Sequence, residues 1–195
     1  MSLIGEYNLK GVMETGCGIV LHENNTFDFY FIYGALDRHG YGSWEKISVD
    51  EIELNTRYSD ASPFTITKEE RRDLPGLIIH FPNYNPILRQ ETKVEIFSSG
   101  NQHESVPDAS GSCSFEIASL EKILVTCMFY FDNPATLFPG NPTNNYFEIL
   151  PNHNLPLTHF QNVRFRVSGN ALTGRLHLLD PNRDFEFEKN LNYGI

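Results

Sequence analysis

The chain has 195 residues, 40% of them hydrophobic and 13% aromatic, which suits one large or two small domains with a real core and is too apolar for a disordered chain. Its 15 Lys and Arg stand against 25 Asp and Glu, a formal net charge of −10. A surface of that sign repels phosphate backbones and anionic headgroups, so it argues against nucleic-acid binding and electrostatic attachment to a membrane.

The opening MSLIGEYNLKGVMETG lacks the basic region and apolar run of a signal peptide, and no later stretch approaches the roughly 20 apolar residues of a spanning helix. The expectation is a cytoplasmic protein, or an exported one whose signal has been removed. Cys17, Cys113 and Cys127 are odd in number, widely spaced and free of any CxxC pattern. Buried, reduced thiols are therefore expected in place of a disulfide framework or a zinc site.

Strand signals run almost end to end. Gly5–Leu9 opens the series, and Gly18-Ile19-Val20-Leu21-His22 is apolar and β-branched. In Thr26–Tyr33, Phe27, Phe29, Phe31 and Tyr33 fall on one side of a pleat and Asp28, Tyr30 and Ile32 on the other, because strand side chains alternate with period two. Glu23-Asn24-Asn25 supplies turn chemistry between these runs. Asp37-Arg38-His39-Gly40 reads as a loop, followed by strands over 41–47 and 50–55.

From Tyr58 the pattern lapses into Ser-Asp-Ala-Ser-Pro, a candidate boundary, and Thr67-Lys68-Glu69-Glu70-Arg71-Arg72 suits a turn, loop or short helix. Strands are expected over 77–81, 92–97, 112–117 and 122–131, at spacings common in β-sandwiches, with a Pro/Gly/Asn loop over 133–145. After 146–150 and a loop over 151–158, three strands close the chain at 162–167, 171–179 and 184–188. Val163, Phe165 and Val167 alternate with Arg164 and Arg166 in the first of them.

Gly5-Glu6-Tyr7, Asn25-Thr26-Phe27, Gly42-Ser43-Trp44 and Glu51-Ile52-Glu53-Leu54 together resemble the strand and turn pattern of small lipocalin-like bacterial barrels, with Asn24-Asn25 suited to a type I′ turn. The middle, from Lys93-Val94-Glu95-Ile96 to Ile123-Leu124-Val125, resembles a carboxypeptidase-regulatory or transthyretin-like sandwich. The whole order is similar to uncharacterised bacterial proteins that join such elements. These resemblances imply an all-β fold: a lipocalin-like antiparallel barrel over 1–60 and 146–190, with a small β-sandwich over 63–145 inserted or appended. Two consecutive β lobes are the alternative.

Candidate chemistry is sparse. His153 and His159 are six residues apart in a loop, a spacing that fits no standard ligand pair, so no metal and no cofactor is assigned. His22, His80 and His177 fall in strand runs and read as solvent-facing or core groups. Cys17 lies between two glycines, which a strand-start bulge explains. Glu51/Glu53 and Asp184/Glu186/Glu188 recur on one strand face each, as solvated faces do. There is no nucleophile elbow and no phosphate loop, and no catalytic residue is assigned.

The aromatic strands are the remaining signal. In a barrel, Phe29, Phe31, Tyr33 and Trp44, with Phe27, either fill the interior as small barrels do, the favoured reading, or line an apolar cavity, with Arg164 or Arg166 reaching an acidic group of a ligand. The leading functional reading is a non-enzymatic binding or interaction protein that recognises an apolar small molecule or a protein partner. A third reading is an adaptor that binds a partner through an exposed edge strand or the 133–145 loop. The alternative is a hydrolase acting on a carbohydrate or ester through a spatially assembled Asp/Glu/His site.

Overall fold

The computed structural model describes residues 2–34, 36–56 and 62–192. The chain opens as a meander of β1 (Gly5–Leu9), β2 (Thr15–Leu21), β3 (Thr26–Tyr33), β4 (Leu36–Lys46) and β5 (Glu51–Thr56). It continues through β6 (Phe64–Glu70), β7 (Leu77–His80), the short helix α1 (Pro86–Gln90), β8 (Thr92–Ser98), β9 (Asn101–Ser105), β10 (Ser112–Phe115), β11 (Lys122–Cys127), β12 (Ala135–Leu137) and β13 (Tyr146–Pro151). It ends with β14 (Val163–Ser168), β15 (Ala171–Arg175) and β16 (Asp184–Lys189). Two compact units result, Met1–Tyr58 with Leu157–Ile195, and Ser59–Pro156. The break expected from Tyr58 to Ala61 lies outside the described residues.

The first unit is a closed eight-stranded antiparallel barrel in which β1 to β5 are followed by β14, β15 and β16, and β16 returns to β1. Closure leaves the barrel without a free edge. Period-two alternation aims Ile19 and Leu21 of β2, Phe27, Phe29 and Phe31 of β3, Ile52 and Leu54 of β5, Phe165 of β14 and Phe185 and Phe187 of β16 inward.

Two local expectations are corrected here. Asp37-Arg38-His39-Gly40 is not a loop, because the register with β3 pairs Phe31 with Arg38 and Phe29 with Gly40. The same four residues alternate exposed and buried as strand residues do. The β2–β3 turn is not type I′, which needs two successive residues at positive φ. Only Asn25, at φ 60°, is left-handed there, and its amide donates to the His22 carbonyl. That is a type I turn closed by a left-handed residue, with the Asn24 side chain accepting from the Thr26 amide.

The second unit holds two four-stranded sheets, β10-β7-β13-β6 and β12-β11-β8-β9. Residues 146–151 belong here and not to the barrel, since β13 pairs antiparallel with β6 and parallel with β7. Phe147 and Ile149 are fully buried in the process. The charged run at 67–70 is strand and not helix or loop: β6 is an outer strand of its sheet, where charged side chains face solvent. Helix α1 starts where Asn85 accepts from the Ile87 amide and Pro86 takes the first helical position. Among the described residues no helix is long and apolar enough to cross a membrane.

Candidate functional site

The barrel interior is filled by side chains. Phe29 and Phe31 are 2% and 4% exposed, Trp44 is 8% exposed, and Trp44 donates from its indole to the His22 carbonyl. Phe160, from the segment leading into β14, meets Phe27 and Phe29 edge-on at ring-centroid distances of 5.2 and 4.9 Å. Gly40 faces inward beside it, and a Cβ there would stand 3.0 Å from the Phe160 ring. Phe165 and Phe187 make a third edge-on pair at 5.6 Å.

The six residues singled out from the sequence are not gathered into one site. Phe29, Phe31 and Trp44 join the core, whereas Tyr33, at the end of β3, is 53% exposed. Arg164 and Arg166 flank the fully buried Phe165 and therefore point to the opposite, outer face. They do not reach the aromatic interior. Arg38 was missed by sequence reasoning, although its parity with Gly40, Gly42 and Trp44 marks it as inward-facing. It is 3% exposed, and its Nε donates to Thr158 Oγ1 at 3.2 Å.

On the outer wall, Arg164 and Arg166 line a groove of about 520 Å³ together with Thr173, Arg175 and His177. Glu53 accepts from Arg164 Nε at 2.9 Å and from the Asn55 amide at 3.1 Å. The Arg164 hydrogen bond, and then that of Asn55, holds the Glu53 carboxyl below its usual range.

A second groove, of about 890 Å³, belongs to the other unit and is lined by Leu74, Pro75, Ile78, Phe115 and Ile117, with Arg71. One wall is held rigidly. Asn145 donates to the carbonyls of Arg72, Leu74 and Gly76 and accepts from the Arg72 amide at 2.8 Å. Gly76 has φ +70°, and a Cβ there would lie 2.3 Å from the Phe115 carbonyl oxygen, so the close approach of wall and strand requires glycine.

Strand β10 borders this groove and is an outer strand of its sheet. The Ile78 amide donates to Asn145 on the side away from β10, so Ser114, opposite Ile78, is a non-hydrogen-bonded pair member whose own N–H and C=O face away from β7. Ser112, two residues earlier, has the same orientation, and Asp108 satisfies both its amide and its carbonyl. Among the described residues nothing does the same for Ser114.

The nearest approach to hydrolytic chemistry is a cross-strand pair, His80 Nδ1 and Ser112 Oγ at 3.0 Å. Among the described residues no carboxylate bonds to His80. Asp108 is taken up by Ser110 and by the Ser112 amide, and the Ser110 hydroxyl hydrogen bond leads in holding its carboxyl low. Among the described residues, the carboxyls of Glu53, Glu70 and Asp108 are held below their usual range, the opposite of what a general acid needs. Among the described residues no three His, Cys, Asp or Glu side chains come together as a metal site would require.

Fold and site together define an all-β protein with a closed eight-stranded antiparallel barrel, two further four-stranded sheets and grooves on its surface. No family model, curated protein or solved structure matches the chain.

Proposed function

We propose that this is a non-enzymatic interaction protein that receives an extended segment of a protein partner along the free edge of β10. The outward-facing amide and carbonyl of Ser114, beside a preformed apolar groove, carry this reading. An added strand gains main-chain hydrogen bonds from the edge and specificity from alternate side chains seated in the groove. The lipocalin-like resemblance is part of the same reading, supported by the up-and-down order of the closed barrel, as is the transthyretin-like one, supported by the two four-stranded sheets of the second unit. A small apolar ligand is a weaker occupant, because Phe29, Phe31, Trp44 and Phe160 are buried together in the barrel core.

The test is selection of displayed random peptides against the full chain, followed by binding to Ser114→Pro. Proline is tolerated on a strand edge but removes the donor. Enrichment of alternating apolar sequences whose binding falls at least tenfold in Ser114→Pro, with thermal unfolding unchanged, supports the proposal. Peptides that bind both proteins equally, or an apolar dye that occupies the groove where no peptide does, would overturn it.

A further inference from the structure

The outer wall of the barrel carries charge in two rows. The register places Glu53 opposite Arg164, and Glu51 opposite Arg166. On the other side of β14, Arg166 faces Thr173 and Phe165 faces Gly174, so the next rung sets Arg164 beside Arg175. Asp184 then follows across β16. The first row is thus acid, arginine, arginine, acid, and the second is Glu51, Arg166, Thr173, Glu186.

Arg164 and Arg175 each turn Nε outward along the row, to Glu53 at 2.9 Å and to Asp184 at 3.2 Å. Among the described residues the terminal nitrogens of both make no hydrogen bond, and Arg166 has neither a hydrogen bond nor an ion pair. Three guanidinium groups therefore share one groove with donors to spare, in a chain whose formal net charge is −10.

We infer that this groove binds a small polycarboxylate. Guanidinium forks match the planar carboxylate with two parallel hydrogen bonds. Arg164 and Arg166 are two residues apart on one strand, roughly 7 Å, which separates two carboxylates of one small molecule. Thr173 adds a hydroxyl on the Arg166 rung, and the groove volume of about 520 Å³ lies in the range of small-molecule sites. Glu53 and Asp184 hold the forks in place by their Nε, leaving the other edge of each guanidinium for the ligand. The inference stands apart from the β10 reading, since it uses none of the same residues.

Citrate and inorganic phosphate serve as probes, followed by the arginine Nε–H signals in ¹H–¹⁵N correlation spectra of the full chain. The expected result is a saturable citrate-dependent shift of the Arg164, Arg166 and Arg175 signals, weakened at least tenfold in Arg166→Ala and also weakened in Arg166→Lys, which keeps the charge but loses the fork. Both variants change an exposed side chain, and their unfolding midpoints report whether the barrel is intact. Shifts that never saturate, equal citrate binding by wild type and Arg166→Ala, or phosphate binding as tight as citrate would each overturn the assignment.

Discussion

Phe160 stands edge-on to Phe29 with ring centroids 4.9 Å apart and ring planes at 69°, and this contact closes the space that an apolar ligand would need inside the barrel. Removing the Phe160 ring should cost about 3–5 kcal/mol, the usual range for a buried phenylalanine truncated to alanine. Urea unfolding of Phe160→Ala measures the loss. The same variant should admit a small apolar probe such as benzene to the interior, which the wild type excludes.

Arg38 carries a charge between Leu36 and Gly40, on the side of β4 that also holds Gly42 and Trp44. Arg38→Ala removes its hydrogen bond to the fully buried Thr158 and leaves a void, so a loss of about 2–4 kcal/mol is expected. Equilibrium denaturation of Arg38→Ala and of Thr158→Val compares the two sides of the contact. If the pair acts as a unit, the double variant loses less than the sum of the singles.

Acid should weaken the barrel in part through Glu53. Its carboxyl is held low in the folded state, first by Arg164 and then by Asn55. The folded state therefore binds its proton less readily than the unfolded chain does, so the stabilisation is present above the unfolded value of about 4.3 and is lost as pH falls through the folded value. Urea midpoints between pH 3 and pH 7 should fall with acid in the wild type and fall less steeply in Glu53→Gln. Glu70, held low chiefly by Arg72, and Asp108, held low chiefly by Ser110, act in the same sense on the second unit.

Burial pushes the Cys17 thiol up to about 12 and the Cys113 thiol up to about 11. Neither presents a thiolate at pH 8, and all three cysteines are buried. A water-soluble disulfide reagent should modify Cys17 and Cys113 in the native protein only at the rate of opening, and promptly in denaturant. Peptide mapping by mass spectrometry assigns each site.

Much of the β architecture was legible because alternation is a local signal. Phe27, Phe29 and Phe31 on one side of β3, and Phe185 and Phe187 on one side of β16, declare buried faces without knowledge of their partners. Other features depend on contacts that no local pattern contains. Asp37-Arg38-His39-Gly40 has turn chemistry, yet it pairs with β3, and Phe160 arrives from a distant segment to use the space beside Gly40. Tyr146–Pro151 is a short apolar run broken only by Glu148 that suits either unit, and only pairing with β6 and β7 decides which.

The candidate site shows the same division. Parity assigns Arg164 and Arg166 to the face opposite Phe165, but their company with Arg175 follows from the β14–β15 register, and the free edge at Ser114 follows from the order of strands in its sheet.

Reception of a partner at the edge of β10, and not inside the barrel, can be read from amide hydrogen exchange with a selected peptide bound. The Ser114 amide should become protected while the amides of β3 and β4 exchange as in the free protein. Protection confined to the barrel strands, with Ser114 unchanged, would contradict it.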